Sequence, residues 1–132
     1  MDSKHNLTAE QLQIRDEVRK FAEEEIKPIA RELDEKEQFS YELAKKMANL
    51  GYFGCFLPES YGGSGLDYLS YIIIVEELTR VDSSQGATIA AHNSLGVGPI
   101  YYFGNEEQKT KYLPKLASGY LWGFGLTEPE AG

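Results

Sequence analysis

The chain has few of the side chains that build metal centres and disulfide frameworks. Its 132 residues include one cysteine, Cys55, and two histidines. A single cysteine cannot form an internal disulfide. His92 has no second histidine or cysteine at ligand spacing, so we expect no metal site there. We interpret Cys55, close to Phe53 and Phe56, as a small buried apolar residue, and His92 as a hydrogen-bonding residue near a helix end.

Positive charge and long apolar runs are also scarce. Thirteen basic residues against twenty-one acidic ones give a net charge of −8. Because the phosphates of nucleic acids require a basic surface, we expect no nucleic-acid partner. No apolar run approaches the length that spans a bilayer, and no basic and apolar leader precedes the first helix, so we expect a cytoplasmic protein without a membrane partner. The 42% of hydrophobic residues is enough for a folded core.

Helical patterns fill most of the chain. Thr8–Gln11 and Asn105–Gln108 each have the spacing of a capping box, in which the two end residues satisfy each other's backbone donors. Pro28 predicts a kink or a break in the first helix. Apolar residues recur at three- and four-residue spacing on one face of that helix: Ile14, Val18, Phe21, Ala22, Ile26, Ile29, Ala30 and Leu33.

Further helices follow, and together they predict an all-α bundle. The predicted starts and ends are Ser40 to Gly51, Asp67 to Leu78, about Ser84 to Gly96, Pro99 to Phe103, and Asn105 to about Ala117. The glycine-rich stretch Gly62–Gly65 lacks the lysine and hydroxyl residue of a phosphate-binding loop, so we interpret it as a flexible turn between helices. Glu76 and Glu77, like Glu23–Glu25, are expected on solvated helix faces.

The last thirteen residues have a different pattern. Apolar and aromatic residues alternate with glycine over residues 120–125, which predicts an extended strand, and Pro129 ends it. A lone strand is not stable in water and needs partners that this chain does not supply. We therefore divide the chain into a helical bundle, residues 1–119, and the start of a truncated β-domain, residues 120–132.

The motif at this end resembles a known family. Residues 123–132, Gly-Phe-Gly-Leu-Thr-Glu-Pro-Glu-Ala-Gly, are similar to the flavin-contacting segment of the acyl-CoA dehydrogenases, which continues there with a hydroxyl residue and an aspartate. Further blocks match the family's N-terminal helical domain in order and spacing, and look most like its butyryl-type, short-chain members. These blocks are Pro58–Gly65, Glu76–Ser84, His92–Leu95 and Pro99–Pro114.

The resemblance implies a flavoprotein. Members of the family use FAD to oxidise the bond between the α- and β-carbons of an acyl-CoA thioester. They usually pass electrons to an electron-transfer flavoprotein and assemble as homotetramers. By this resemblance, Phe124, Leu126 and Thr127 contact the isoalloxazine ring, and Thr127 donates a hydrogen bond to its polar edge.

The resemblance also implies which residues meet the substrate. Ala90, Ala91, Ser94 and Leu95 are expected to line the acyl channel. Glutaryl-type relatives have an arginine near position 86, where this chain has Gly86, which favours a monocarboxylic, short-to-medium acyl group. The family's catalytic base belongs to the C-terminal helical domain, so no catalytic residue is assigned here and the isolated chain is expected to be inactive.

Two other interpretations stay open at this stage. The chain can be a stand-alone helical binding or interaction module that shares ancestry with the family but has no redox role. A coding frame that continues beyond Gly132 would exclude that interpretation. The related acyl-CoA oxidases share the flavin motif and differ in their reaction with oxygen, which these residues do not reveal.

Overall fold

Helices dominate the computed structural model, which describes residues 7–131. The α-helices are α1 Ala9–Phe21, α2 Lys27–Glu35, α3 Tyr41–Asn49, α4 Tyr68–Thr79, α5 Ser83–Ala91, α6 Gly98–Phe103 and α7 Glu106–Ala117. A first π-helical segment, Ala22–Ile26, joins α1 to α2, and a second, His92–Val97, joins α5 to α6. One 3₁₀ turn spans Glu59–Tyr61. The predicted all-α class is confirmed.

The helix starts follow the sequence signals closely. At α1 the backbone N–H of Gln11 donates to Thr8 Oγ1 at 3.2 Å, and the N–H of Thr8 donates to Gln11 Oε1 at 3.0 Å. The same reciprocal pair forms between Asn105 and Gln108 at the start of α7, with both distances 2.9 Å. Both predicted capping boxes are confirmed. Asp67 caps α4 as predicted, its side chain accepting from the N–H of Ser70 at 2.6 Å.

The chain does not break at Pro28. It stays helical from Ala9 to Glu35, and Pro28 occupies the first turn of α2. The irregularity takes the form of the first π-helical segment, which immediately precedes that turn. Because proline fixes φ at a helical value and lacks only a donor, the first turn of a helix tolerates it.

The core is organised around α4, which packs against both α1 and α5. Burial of apolar side chains between these helices is the main favourable contribution to folding. The fully buried members of this core include Ile26, Met47, Phe53, Ile74, Leu78 and Ile89. A second apolar cluster lies where α7 covers the loop after α3 and the second π-helical segment. It consists of Leu57, Val97, Leu113 and Leu116.

One predicted surface carboxylate is inside this packing. Glu77, expected on a solvated face, is only 3% exposed, so that prediction is wrong. Arg19 of α1 donates to both of its oxygens, at 2.9 and 2.7 Å, and Arg80 donates to Oε2 at 2.8 Å. Burial alone would raise the pKa of Glu77, but these hydrogen bonds outweigh it and hold the pKa below its ordinary value.

The segment after α7 is extended but unpaired. Residues 120–131 form no strand in the described part of the chain. Glu128 and Ala131 exchange two backbone hydrogen bonds, at 3.3 and 3.1 Å, around the turn that contains Pro129. The predicted strand is absent because a strand requires a neighbouring strand to satisfy its N–H and C=O groups. Gly132 and residues 1–6 lie outside the described residues, and the division at residue 119 stays a prediction.

The length and the apolar character of the described helices decide whether they can cross a lipid bilayer. Among residues 7–131, none of the helices combines the length and the apolar character that a membrane crossing requires.

Candidate functional site

Most of the predicted acyl-lining residues lie on the surface where α5 joins the second π-helical segment. Ala91 and Ser94 are exposed, and Leu95 is 42% exposed. Ala90 is half-buried. π-Helical segments within α-helices are frequent at functional sites, because they change which side chains face outward. The four residues thus span the end of α5 and the start of the second π-helical segment, and three of them are accessible.

Two hydroxyl groups converge beside this face. Ser94 Oγ donates to the carbonyl oxygen of Ala90 at 2.6 Å, and the Tyr71 hydroxyl donates to the same oxygen at 3.0 Å. Burial raises the pKa of Tyr71, so its hydroxyl stays protonated and remains a donor at neutral pH. Both hydroxyls are engaged with the backbone, and the exposed residues of the face are small or apolar. Such a surface suits an uncharged alkyl chain.

An aromatic cleft opens next to Ser94. It encloses about 330 Å³ between α4 and α6, and Ser94 and Tyr71 form part of its wall. The other aromatic residues that line it are Phe56, Tyr68, Tyr102 and Phe103. Pockets of this size with apolar walls and few polar groups are typical of small-molecule sites.

The chain after α7 crosses this region. Trp122 lies against Gly96, so closely that a Cβ atom on Gly96 would be 2.9 Å from the Cβ atom of Trp122. The indole ring also meets the edge of Tyr112, with ring centroids 6.4 Å apart. Because two residues span at most about 7 Å, the Cα atom of Phe124 is no farther than that from the Cα atom of Trp122. The predicted flavin-contacting segment therefore begins within a few residues of the contact with the second π-helical segment.

The predicted flavin-contacting residues are accessible. Phe124 is 59% exposed, Leu126 is 75% exposed, and Thr127 is also exposed. Added Cβ atoms on Gly123 and Gly125 would meet nothing within 4 Å, which leaves open space along the backbone. An exposed ring, an exposed alkyl group, a free hydroxyl and an open backbone are suited to a flat aromatic ligand with polar edges. These residues fit a flavin ring.

Gly86 has a packing reason to be glycine. A Cβ atom there would collide with the side chain of Thr79, since α5 approaches α4 closely at this point. The absence of an arginine at position 86 therefore follows from helix packing as readily as from substrate choice. The preference for a monocarboxylic substrate stays a prediction.

His92 and Cys55 have the structural roles expected of them. His92 Nε2 lies 3.1 Å from the carbonyl oxygen of Leu116, and His92 Nδ1 is buried without a partner. Burial lowers the pKa of His92, so the ring is neutral at pH 7. Cys55 is fully buried, and burial raises the pKa of its thiol to about 12, so it stays protonated and unreactive. Residues 7–131 contain no cluster of three potential metal ligands.

Asn93 is not among the predicted site residues, yet it is fully buried beside Ser94. Its side chain contacts the loop that follows α3, through Gly54 and Tyr52. Asparagine is disfavoured inside helices, because its side chain competes for backbone hydrogen bonds. An asparagine in the middle of an apolar helical pattern is therefore the sequence signal that points to this residue.

Comparisons with known proteins agree with this architecture. A family model described as "Acyl-CoA dehydrogenase, N-terminal domain" matches residues 8–120. The short-chain specific acyl-CoA dehydrogenase of Clostridium acetobutylicum is 52% identical over 128 residues, which are 96% of this chain and 34% of that protein.

Two solved structures share the fold. A chain in the structure described as an electron transferring flavoprotein of Acidaminococcus fermentans is 48% identical, with a TM-score of 0.91, over 100% of this chain and 34% of that one. A glutaryl-CoA dehydrogenase from Mycobacterium smegmatis, in complex with FADH2, is 36% identical, with a TM-score of 0.91, over 99% of this chain and 34% of that one. The present chain spans about one third of the length of these proteins.

Proposed function

Because the chain belongs to the acyl-CoA dehydrogenase family, we propose that it supplies the N-terminal part of the acyl-CoA and flavin sites of an FAD-dependent acyl-CoA dehydrogenase. The parent protein oxidises the bond between the α- and β-carbons of a short-to-medium acyl-CoA thioester. The observation that carries the proposal is the contact between Trp122 and Gly96. It brings the chain just before the flavin-contacting residues next to the second π-helical segment, which carries Ser94 and Leu95.

The residues of this chain bind and orient, and the base that removes the α-proton is expected in the part of the protein beyond residue 132. Phe124 and Leu126 offer apolar surface to the flat face of the flavin. Thr127 offers one hydroxyl donor to its polar edge, where a fixed donor stabilises developing negative charge. When bound, FAD supplies the hydride acceptor for the reaction. Leu95 and the neighbouring aromatic residues exclude water from the region where the acyl group would lie.

The proposed substrate is a monocarboxylic acyl group of short to medium length. Ala91 has a small side chain, which leaves space for an alkyl chain, and no charged side chain lines the aromatic cleft beside Ser94. A carboxylate at the far end of the acyl group would lose its hydration there without gaining a charged partner, which is costly. The C. acetobutylicum relative named as short-chain specific supports this choice.

The proposed electron acceptor is an electron-transfer flavoprotein, and the proposed assembly is a homotetramer. Both come from the family resemblance. The 48% identity to a chain in the structure of the A. fermentans electron transferring flavoprotein supports the choice of acceptor.

Activity of the full-length protein tests the proposal. The protein should copurify with FAD and should reduce a dye acceptor with butyryl-CoA at a higher kcat/KM than with glutaryl-CoA. A full-length protein that holds no flavin and oxidises no acyl-CoA would favour the alternative of a helical binding module. The reverse order of the two substrates would refute the proposed substrate class and leave the dehydrogenase assignment intact.

The 132-residue chain alone provides the complementary test. It should not turn over butyryl-CoA, because it carries one side of the flavin site and no base. Turnover by the purified chain would overturn the assignment of roles given above.

A further inference from the structure

The side chain of Asn93 makes three hydrogen bonds in the core. Nδ2 donates to the carbonyl oxygens of Tyr52, at 2.9 Å, and of Ile89, at 3.1 Å. Oδ1 accepts from the backbone N–H of Gly54 at 2.7 Å. Both N–H donors of the amide and its oxygen are therefore satisfied, and the side chain is 0% exposed. A buried polar group bonded in this way has a single favourable orientation.

Asn93 lies in the second π-helical segment. Backbone carbonyl oxygens in the turn before it accept hydrogen bonds from side chains. Asn93 donates to Ile89, while Ser94 and Tyr71 both donate to Ala90. A π-helical segment contains one more residue than an α-helix of the same span. Every later residue is therefore rotated about the helix axis, by about 100°, relative to an uninterrupted α-helix. Ser94 and Leu95 lie within the segment, so their orientation depends on whether its wider turns are kept.

The loop that Asn93 binds is closely packed at Gly54. Gly54 has a φ of +64°, and a Cβ atom there would lie 3.0 Å from Leu57 and 3.3 Å from Ala117, at the end of α7. The side chain of Asn93 therefore joins a packed part of this loop to the segment that carries Ser94 and Leu95.

We infer that Asn93 is a positioning residue for acyl-group selectivity: it holds the second π-helical segment, and thereby keeps Ser94 and Leu95 on the open face. Asn93 is fully buried at the wall of the aromatic cleft, and the effect assigned to it acts through the segment. The effect on selectivity rests on the proposed function, because it assumes that the open face binds the acyl group. The geometric part, that the amide of Asn93 maintains the π-helical segment, is independent of any activity.

Two measurements on the full-length protein test the two parts. The first is the crystal structure of Asn93→Ala, in which we expect the π-helical hydrogen bonding to be lost and Leu95 to be displaced. The second is the ratio of kcat/KM for butyryl-CoA to that for octanoyl-CoA, which we expect to change at least tenfold in the same variant. Should Asn93→Ala not fold, Asn93→Ser replaces it, since the serine hydroxyl retains one donor and one acceptor.

Gln11→Ala is the matched control. Gln11 is also buried, and its amide also joins two elements, donating to Asp67 Oδ2 at 2.8 Å. It lies at the start of α1 and is not part of the proposed site. The variant should lower the melting temperature and leave the ratio of the two substrates unchanged.

The outcomes separate the inference from the proposed function. A variant structure in which the π-helical segment and Leu95 stay in place would overturn the inference, whatever the kinetics. Displacement of Leu95 with an unchanged substrate ratio, or an equal change of ratio in Gln11→Ala, would overturn the claim about selectivity. A wild-type protein that oxidises no acyl-CoA would overturn the proposed function and the selectivity claim, while the crystal structure would still decide the geometric part.

Discussion

Among single residues, Glu77 is the one carboxylate that is buried in the described part of the chain. Its carboxylate is 4% exposed, while the side chains of Arg19 and Arg80 remain about half-exposed, at 45% and 46%. The two ion pairs are therefore partly solvated, and the contribution of each to stability lies between that of a surface ion pair and that of a fully buried one.

Replacement of this carboxylate should destabilise the bundle. Glu77→Gln removes the charge while keeping the shape, and should lower the free energy of unfolding by about 1.5–3 kcal/mol, the usual worth of hydrogen bonds to charged groups. Urea unfolding measures the difference. Glu76→Gln is the control, because Glu76 is the exposed neighbour on the same helix. Equal effects of the two substitutions would show that the contacts of Glu77 contribute nothing specific.

His92 should make stability depend on pH. Because burial lowers its pKa in the folded protein, the unfolded chain takes up a proton near pH 6.5, while the folded protein does so only at lower pH. Stability is therefore complete above pH 6.5 and falls as the pH drops below it, by up to about 1.4 kcal/mol per pH unit. Melting temperatures at pH 7.5 and 5.5 should differ more for the wild type than for His92→Phe. The same pH dependence in both proteins would contradict this role of His92.

Thr127 should affect chemistry more than binding. In the full-length enzyme, Thr127→Val should slow flavin reduction by acyl-CoA, measured by stopped flow, and change the affinity for acyl-CoA less. Loss of one donor at an oxyanion site costs about 2.7–4 kcal/mol, and a flavin edge with other donors should lose less. Thr79→Val, on α4, is the control with the same change of side chain. Unchanged reduction in Thr127→Val would place Thr127 outside the hydride-transfer site.

At the scale of elements, the glycine-rich turn between α3 and α4 is built by close backbone packing. A Cβ atom on Gly63 would collide with the carbonyl group of Leu57. The N–H of Gly65 donates to the same carbonyl at 2.9 Å, and the N–H of Gly63 donates to Pro58 at 3.2 Å. The turn is thus held by hydrogen bonds, and Gly63 allows two backbone segments to approach each other closely. The sequence had suggested a flexible turn.

A single methyl group tests this packing. Gly63→Ala should lower the free energy of unfolding by about 1–3 kcal/mol, since the atom it would displace is backbone and cannot rotate away. Thermal or urea unfolding gives the value. Gly123→Ala is the control, because a Cβ atom there meets nothing within 4 Å. A Gly63→Ala protein as stable as the control would mean that the turn adjusts freely.

Local signals predicted the helices better than they predicted the faces of the helices. The capping boxes at Thr8 and Asn105 involve residues three apart, so the sequence alone specifies them. The orientation of α4 could not be predicted in this way. Its own apolar residues lie on all sides of the helix, so the pattern does not identify one inner face. The burial of Glu77 follows from the contact between α1 and α4. For the same reason the hydrogen-bond partners of Asn93, which lie in a loop some forty residues away, could not be predicted from the sequence.

At the scale of the whole molecule, the C-terminal part of the isolated chain exposes a large apolar surface. Phe103 is 87% exposed and Leu126 is 75% exposed, and Tyr102, Tyr120 and Phe124 are more than half-exposed. Contiguous apolar patches beyond a few hundred Å² are rare on soluble monomers. The extended segment also has unpaired backbone groups, which favour pairing with another chain.

The isolated 132-residue chain should therefore self-associate through this segment. Sedimentation velocity at increasing concentration should detect species larger than the monomer, and deletion of residues 120–132 should abolish them. Association that survives the deletion would show that the chain self-associates through α6 and the aromatic cleft instead. A monodisperse monomer at all concentrations would defeat the prediction.

Local patterns in the chain were enough to predict the all-α class, the starts of α1, α4 and α7, and, through its motifs, the family to which the chain belongs. These depend on neighbours within one or two helical turns, or on residue identities in a fixed order. Three other features emerge from helix packing: the burial of Glu77 between two arginines, the link that Asn93 makes between a distant loop and the second π-helical segment, and the contact of Trp122 with Gly96. Each of these contacts joins residues far apart in the sequence, and their distances are set by how the helices pack together.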